Sequence, residues 1–268
     1  MTKVRTSNKR LMLTGATAWL LLSILASPAI ARTVLIAYVG PQDTTAERGL
    51  KQGLIEANVQ GEFLDTKYEL LSLNAKSEPT AIIVSARDEE IIQIAKNFPA
   101  TPIFNVSNKS DYLRSLCLEN VFHTIPSQQM FSDAAAQWRQ KHAASNAEPQ
   151  AWHRTFRKYA AAQLNIRYHE TFNADMDDNA WAGWAATKLL ADTLVRAPEL
   201  LNERLINELK TNVAFDGQKG IDMSFRETGQ LAQPLLLVAD DKIVGEAPVR
   251  GVVDITDLNS LGQLNCPK

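Results

Sequence analysis

Apolar and polar positions divide the chain into two kinds of segment. Val34-Leu35-Ile36-Ala37-Tyr38-Val39 is an unbroken apolar run, the pattern of a strand buried on both faces, and Gly40-Pro41 ends it. Ala46, Leu50, Leu54 and Ala57 then recur at helical spacing, and residues 58–61 supply a stop. Residues 68–73, 81–84, 102–106 and 121–124 read as further strands, and Asp88 is placed to cap a helix carrying Ile91, Ile92 and Ala95. Strands alternating with helices predict an α/β fold with a doubly wound, mainly parallel sheet. Past Pro126 the pattern changes. A helix is expected from Ser127 to about residue 142, a polar linker over 143–150, and one long helix over 152–172. Asp178 is read as the cap of a helix whose Trp181, Trp184, Ala185 and Leu189 share one apolar face. Pro198 breaks that helix and a short one follows to about residue 210. The tail carries strand signals at 223–225, 234–239 and 242–244, with Asp240-Asp241 as a hairpin turn between the last two.

The N-terminus changes the compartment. Lys3, Arg5, Lys9 and Arg10 precede an apolar run over 11–25, and Ala29-Ile30-Ala31 follows. The run is shorter than the about 20 apolar residues of a membrane span, so the three regions read as an export signal cleaved after Ala31. The rest carries no second run of membrane length, and the expected location is the periplasm, not embedded in the membrane. The net charge of −2 has no basic block, which argues against nucleic acid as a partner. Cys117 and Cys266 are the two cysteines; in an oxidising compartment they can pair, the alternative being two unpaired thiols.

Enzyme signatures are missing: there is no G-x-S-x-G, G-x-G-x-x-G or P-loop, and no cofactor is expected. Asn173, Asp175, Asp177 and Asn179 alternate like the start of a calcium loop, yet Asp178 stands where that loop needs Gly and Trp184 where it needs Glu, so no metal site is expected. In open α/β sheets ligands sit beyond the carboxyl ends of the strands. Those ends fall at residues 40–45, at Ser85-Ala86-Arg87 and at Asn105-Val106-Ser107.

Taken in order, several stretches carry a resemblance. They are Ile55-Glu56-Ala57-Asn58 with Gly61, Pro126-Ser127, Asn179-Ala180-Trp181-Ala182-Gly183-Trp184, and Phe215-Asp216-Gly217-Gln218-Lys219-Gly220 with Ser224-Phe225 and Gly229. With them the chain resembles the type I periplasmic substrate-binding proteins, which include branched-chain amino-acid receptors of ABC transporters. Residues 117–127, Trp152-His153, Gln163-Leu164-Asn165, Met176-Asp177-Asp178 and 230–237, with the C-terminal Cys266, are similar to the branch found with PQQ-dependent alcohol dehydrogenase systems. The resemblance implies a non-enzymatic binding protein with a small-molecule ligand and an ABC permease as partner; docking on a periplasmic dehydrogenase or cytochrome is the competing class. It also implies a ligand carboxylate held near Ser85 and Ser107, with Asn105 and Arg87 as helpers. The bland alternative is that Ser85 caps a helix and Ser107 turns the chain. Family members have two α/β lobes, whereas the linker at 143–150 stands where most of a second lobe belongs. The expected organisation is therefore a signal at 1–31, a first lobe at 32–126, a crossover helix and linker at 127–150 as remnant of a reduced second lobe, returning helices at 151–210, and C-terminal strands and tail at 211–268.

Overall fold

Five strands form the principal sheet: β1 (Arg32–Val39), β2 (Thr66–Leu71), β3 (Ala81–Val84), β4 (Ile103–Asn105) and β5 (Val121–His123). Every neighbouring pair is parallel, in the order β2-β1-β3-β4-β5. Every residue of β3, β4 and β5 is buried; β3 is apolar throughout, while β4 and β5 each end in a buried polar residue, Asn105 and His123. The pleat sorts them cleanly. Val34, Ile36, Ala81, Ile83, Phe104 and Phe122 join one core with α1 (Thr45–Gly61) and, later in the chain, the helix of Trp181 and Trp184. Ala37, Ile82, Val84, Ile103 and Val121 join a second core with α2 (Asp88–Asn97) and α3 (Asp111–Ser115). The sheet is thus doubly wound. It belongs to a computed structural model that describes residues 1–2, 32–74 and 76–267. The export signal read at 1–31 lies, beyond its first two residues, outside the described residues. The chain divides into Met1–Ile30 and a compact unit Ala31–Lys268, which holds every element named here.

After β5 the chain enters α4 (Gln128–Lys141), capped by Ser127, whose hydroxyl accepts from the Met130 amide at 3.2 Å. A small antiparallel sheet follows, built from β6 (Glu148–Gln150), β7 (Leu235–Ala239) and β8 (Lys242–Ala247) in that order. Gly245 lets it close on α4: a Cβ there would stand 2.6 Å from the Trp138 ring. Asp240 and Asp241 form the expected hairpin turn, both at positive φ (47° and 58°), as a two-residue turn matched to strand twist requires. Between β6 and β7 the chain returns through α5 (Ala161–Phe172), α6 (Asp178–Arg196) and α7 (Asn202–Thr211). The second sheet is small beside the first, with three strands against five. Among the described residues no helix is long and apolar enough to cross a membrane.

The structure corrects several local readings. Residues 143–150 are not all linker, since β6 pairs with β7 there. The long helix expected over 152–172 begins only at Ala161. The Asp178 carboxylate takes the amides of Ala151 and Trp152 at 2.7 and 3.0 Å, and the Asn165 amide donates to the carbonyls of His153, Arg154 and Phe156. Those side chains replace helical bonds, and Tyr159 and Ala160 are left-handed. Asp178 is accordingly not the cap of α6; Asp177 is, accepting from the Ala180 amide at 2.8 Å. Asp88 does not cap α2 either, because Arg87 occupies that position and Asp88 instead accepts from Asn108 and Ser110. The stop read at 58–61 holds, since α1 ends at Gly61, and the Asn58 amide group clamps both backbone polar groups of Tyr68 in β2. Residues 223–225 make isolated bridges to Phe215 and Leu231 rather than a strand. Cys117 and Cys266 are bonded, with their Cα atoms 5.7 Å apart, so the tail is tied to the turn between α3 and β5.

Candidate functional site

The carboxyl ends of β1, β3 and β4 lie level. Val39 pairs with Val84 and Val84 with Asn105, so Gly40, Ser85 and the 105–108 turn share one rim. The approach is close, and a Cβ at Gly40 would stand 2.8 Å from the Ser85 carbonyl oxygen. The Ser85 hydroxyl donates to the Ser107 hydroxyl at 2.9 Å. Both are half-buried and line a hollow of about 640 Å³ together with Gly40, Pro41, Arg87 and Glu90. Ser85 does not cap α2, since Arg87 holds that position without a side-chain bond. The Arg87 side chain is exposed on this hollow. The first turn of α2 carries Asp88, Glu89 and Glu90, which offset the positive end of its helix dipole.

Asn105, expected as a helper of the two serines, faces inward behind the rim. It is fully buried with both ends of its amide committed. Its Oδ1 accepts from the amides of Ser107 (3.3 Å) and Asn108 (2.9 Å), and its Nδ2 donates to the Asn108 carbonyl (2.7 Å) and to His123 Nδ1 (2.9 Å). That pattern fixes His123 as neutral with Nδ1 unprotonated. Burial, reinforced by the nearby Arg114 charge, holds its pKa well below the ordinary value. Asn105 therefore positions Ser107 from behind.

Beneath this turn lies Arg114, fully buried. Its Nε donates to Gln230 Oε1 at 2.8 Å, and its terminal nitrogens donate to the carbonyls of Asn108, Ser110 and Ile125 at 2.7, 2.9 and 2.9 Å. Burial pushes the guanidinium pKa down to about 9, which leaves it charged at neutral pH. Gln230 donates onward to the carbonyls of His123, Ile125 and Leu231. The rim is thus pinned to the C-terminal segment.

A second hollow of about 570 Å³ adjoins the first, sharing Ser107. Its walls are Lys109, Glu148 of β6, Trp152 to Arg154, and the start of α6. Lys109 lies 3.3 Å from Asp178 Oδ2 and 4.2 Å from the Phe131 ring centroid. His153 Nε2 meets Asp241 Oδ1 at 3.1 Å, and Arg154 pairs with both Asp241 and Asp175. In the stretch that alternates like a calcium loop, Asp175 faces Arg154 and His169 while Asp177 caps α6. Among the described residues no group of three or more His, Cys, Asp or Glu could hold a metal ion. Lys109 and Glu148 escaped the sequence reading. The Asp241 turn was legible, but nothing local to it signals its partners 87 and 88 residues earlier.

Behind this hollow Trp152 stacks on Trp181, with centroids 6.0 Å apart. On Trp181 rests the Lys219 ammonium, 3.9 Å from the ring centroid, which also donates to Gln233 Oε1 (2.8 Å) and the Pro234 carbonyl (3.0 Å). Burial lowers the Lys219 pKa to about 7, against the opposing pull of Asp178 and Glu246. The sign follows from linkage. An unfolded lysine keeps its proton to about 10.4, so between pH 7 and that value the unfolded chain binds more protons and stability rises with pH. From pH 7 to 9 this group is expected to add on the order of 2 kcal/mol. Urea midpoints at the two pH values measure it, and Lys219→Met should remove the rise. Equal pH profiles for the two proteins would refute the assignment.

No family model and no curated protein matches the chain. Solved structures do. An ABC transporter substrate-binding protein from Sphaerobacter thermophilus superposes with a TM-score of 0.66 at 11% identity, over 80% of this chain and 98% of that one. A leucine-binding protein from Thermotoga maritima gives 0.59 at 12%, over 80% and 97%. A branched-chain amino acid transporter substrate-binding protein from Streptococcus pneumoniae, in complex with isoleucine, gives 0.60 at 9%, over 81% and 98%. At such identities the likeness is one of fold. The chain has the α/β architecture of a type I periplasmic binding protein lobe, with its mainly parallel central sheet.

Proposed function

We propose that this chain is the exported solute-binding component of an ABC-type uptake system. It is released into the periplasm by cleavage after Ala31 and presents its ligand to a membrane permease. The observation that supports this reading is the Ser85–Ser107 hydroxyl pair, 2.9 Å apart at the ends of adjacent parallel strands, opening on a hollow wide enough for a small molecule. Arg87 on the same hollow supplies a cation for a ligand carboxylate, with Asn105 holding the Ser107 turn in place. The link to PQQ-dependent alcohol oxidation rests on the motif likenesses at residues 117–127, 152–153, 163–165, 176–178 and 230–237.

Affinity should be low. The three acids of the first turn of α2 oppose an anion there, and an open hollow leaves one face of the ligand in water. Calorimetry on residues 32–268 with leucine, acetate and ethanol is expected to give dissociation constants weaker than about 1 μM, the level that needs about 8 kcal/mol of binding free energy. Whatever heat is seen should vanish in Ser85→Ala/Ser107→Ala. Sub-micromolar binding that survives the double substitution would sink the assignment. No ligand heat together with co-purification of a periplasmic dehydrogenase or cytochrome would favour an interaction protein instead.

A further inference from the structure

The C-terminal tail is held in two different ways. Up to Gly262 it is built into the unit. Leu258 and Leu261 are buried, and the Arg226 guanidinium donates to the carbonyls of Leu258 (2.6 Å) and Gly262 (2.9 Å). Gln137 donates to the Ser260 carbonyl at 3.1 Å, and the Gly262 amide donates to Asp133 at 2.6 Å. Gly262 lies against α4, where a Cβ would stand 2.3 Å from Met130 Cγ. Past that point the hydrogen bonding stops. Among the described residues none of 263–267 donates or accepts a hydrogen bond, and Gln263, Asn265 and Pro267 are exposed. What ties the segment down is the bond from Cys266 to Cys117.

That bond is open to attack. Both cysteines are half-buried and, with Leu116, Phe225, Arg226 and Pro267, they line a hollow of about 480 Å³. Exchange needs a thiolate to reach one sulfur and the other sulfur to leave as a thiolate. Arg226 favours that departure: its guanidinium bonds to neutral carbonyls, so its charge is available to a thiolate in the same hollow. Once protonated, the Cys117 thiol has an acceptor at hand, since its sulfur lies 3.4 Å from the Arg114 carbonyl oxygen. We propose that residues 263–267 are a flap opened by thiol–disulfide exchange at Cys117–Cys266, with a dithiol as the reductant. One thiolate of the dithiol attacks a sulfur of the pair and releases the other. Its second thiolate then breaks the mixed disulfide. The dithiol leaves as a disulfide, oxidised by two electrons, and the two protons it gives up end on Cys117 and Cys266. Opening frees the chain beyond Gly262 and bares the hollow beside Leu116 and Phe225, while the sheets and the rim stay folded.

Dithiothreitol on the purified protein tests this. Reduction of the folded protein, followed by maleimide labelling, is expected within about tenfold of the rate in the urea-unfolded chain. Backbone order parameters at 264–266 should then fall below about 0.6, while those at 258–262 and in β1, β3 and β4 stay near about 0.85. Cys266→Ser should fold, with the near-ultraviolet circular dichroism of the parent and the same mobile tail. Reduction that proceeds only at the rate of global unfolding overturns the proposal, as do order parameters at 264–266 that stay unchanged. Loss of the near-ultraviolet signal on reduction, or a Cys266→Ser chain that does not fold, would mean that the bond holds the whole unit together, and overturns it too.

Discussion

Replacing Arg114 with alanine should cost about 4 kcal/mol or more of folding stability, enough to leave a unit of ordinary stability barely folded. The residue is fully buried and donates to four acceptors: Gln230 Oε1 and the carbonyls of Asn108, Ser110 and Ile125. The Asn108 and Ile125 carbonyls keep donors in Asn105 and Gln230, but Gln230 Oε1 is left buried without one, at about 1–3 kcal/mol, and the cavity of a fully buried arginine adds to that. Lysine should rescue little, because a single ammonium cannot reproduce the planar fork that spans α3, the end of β5 and the C-terminal segment. Urea denaturation reads the effect directly. An Arg114→Ala midpoint close to that of the parent would mean that water replaces the guanidinium, and that this side chain does not hold the rim to residue 230.

A second large effect is expected where α1 crosses α6. A Cβ on Gly49 would stand 1.9 Å from the Ala180 carbonyl oxygen, and one on Gly183 2.3 Å from that of Ala46. In both directions the obstacle is backbone, which cannot rotate aside as a side chain does. Gly49→Val should therefore push the helices apart and destabilise by at least about 3 kcal/mol, beyond the usual cost of overpacking a core that can adjust. The exposed neighbour Ile55 provides the control, since Ile55→Ala should change stability by no more than about 0.5 kcal/mol. Similar melting temperatures for Gly49→Val and Ile55→Ala would show that the crossing is looser than its geometry. The crossing matters for the rim because α1 follows directly from the loop beyond β1. Thr44 caps the helix at the near end of that loop, and the Asp43 amide donates to Glu47 at 2.6 Å.

The principal sheet was legible because burial on both faces makes most strand positions apolar, with Asn105 and His123 the buried polar ends of β4 and β5. Val34 to Val39, Ala81 to Val84 and Ile103 to Asn105 could be placed, and so could their parallel alignment, which follows from the helices between them. The change of pattern after Pro126 located the start of α4 at Ser127, and two consecutive aspartates located the β7–β8 turn. The hydroxyls of Ser85 and Ser107 fell at one rim for the same reason: strand ends in a parallel sheet point one way.

Where the reading failed, a side chain was bonded far from its place in the sequence. Asn105 looks like a rim residue in the chain, yet it turns inward to His123 and to its own loop. Residues 152–160 were read as the start of a helix, but the amides of Ala151 and Trp152 go to Asp178, more than twenty residues later. Arg114 and Gln230 are 116 residues apart, and neither sits in a pattern that names the other. The amino-acid sequence by itself determined which segments are strands and helices and which way the strands run, since local periodicity and burial suffice for that. Only the tertiary structure decided which polar atoms are spent inside the protein and which remain at the rim, because a hydrogen bond is chosen by what lies within 3 Å in space and not by spacing along the chain.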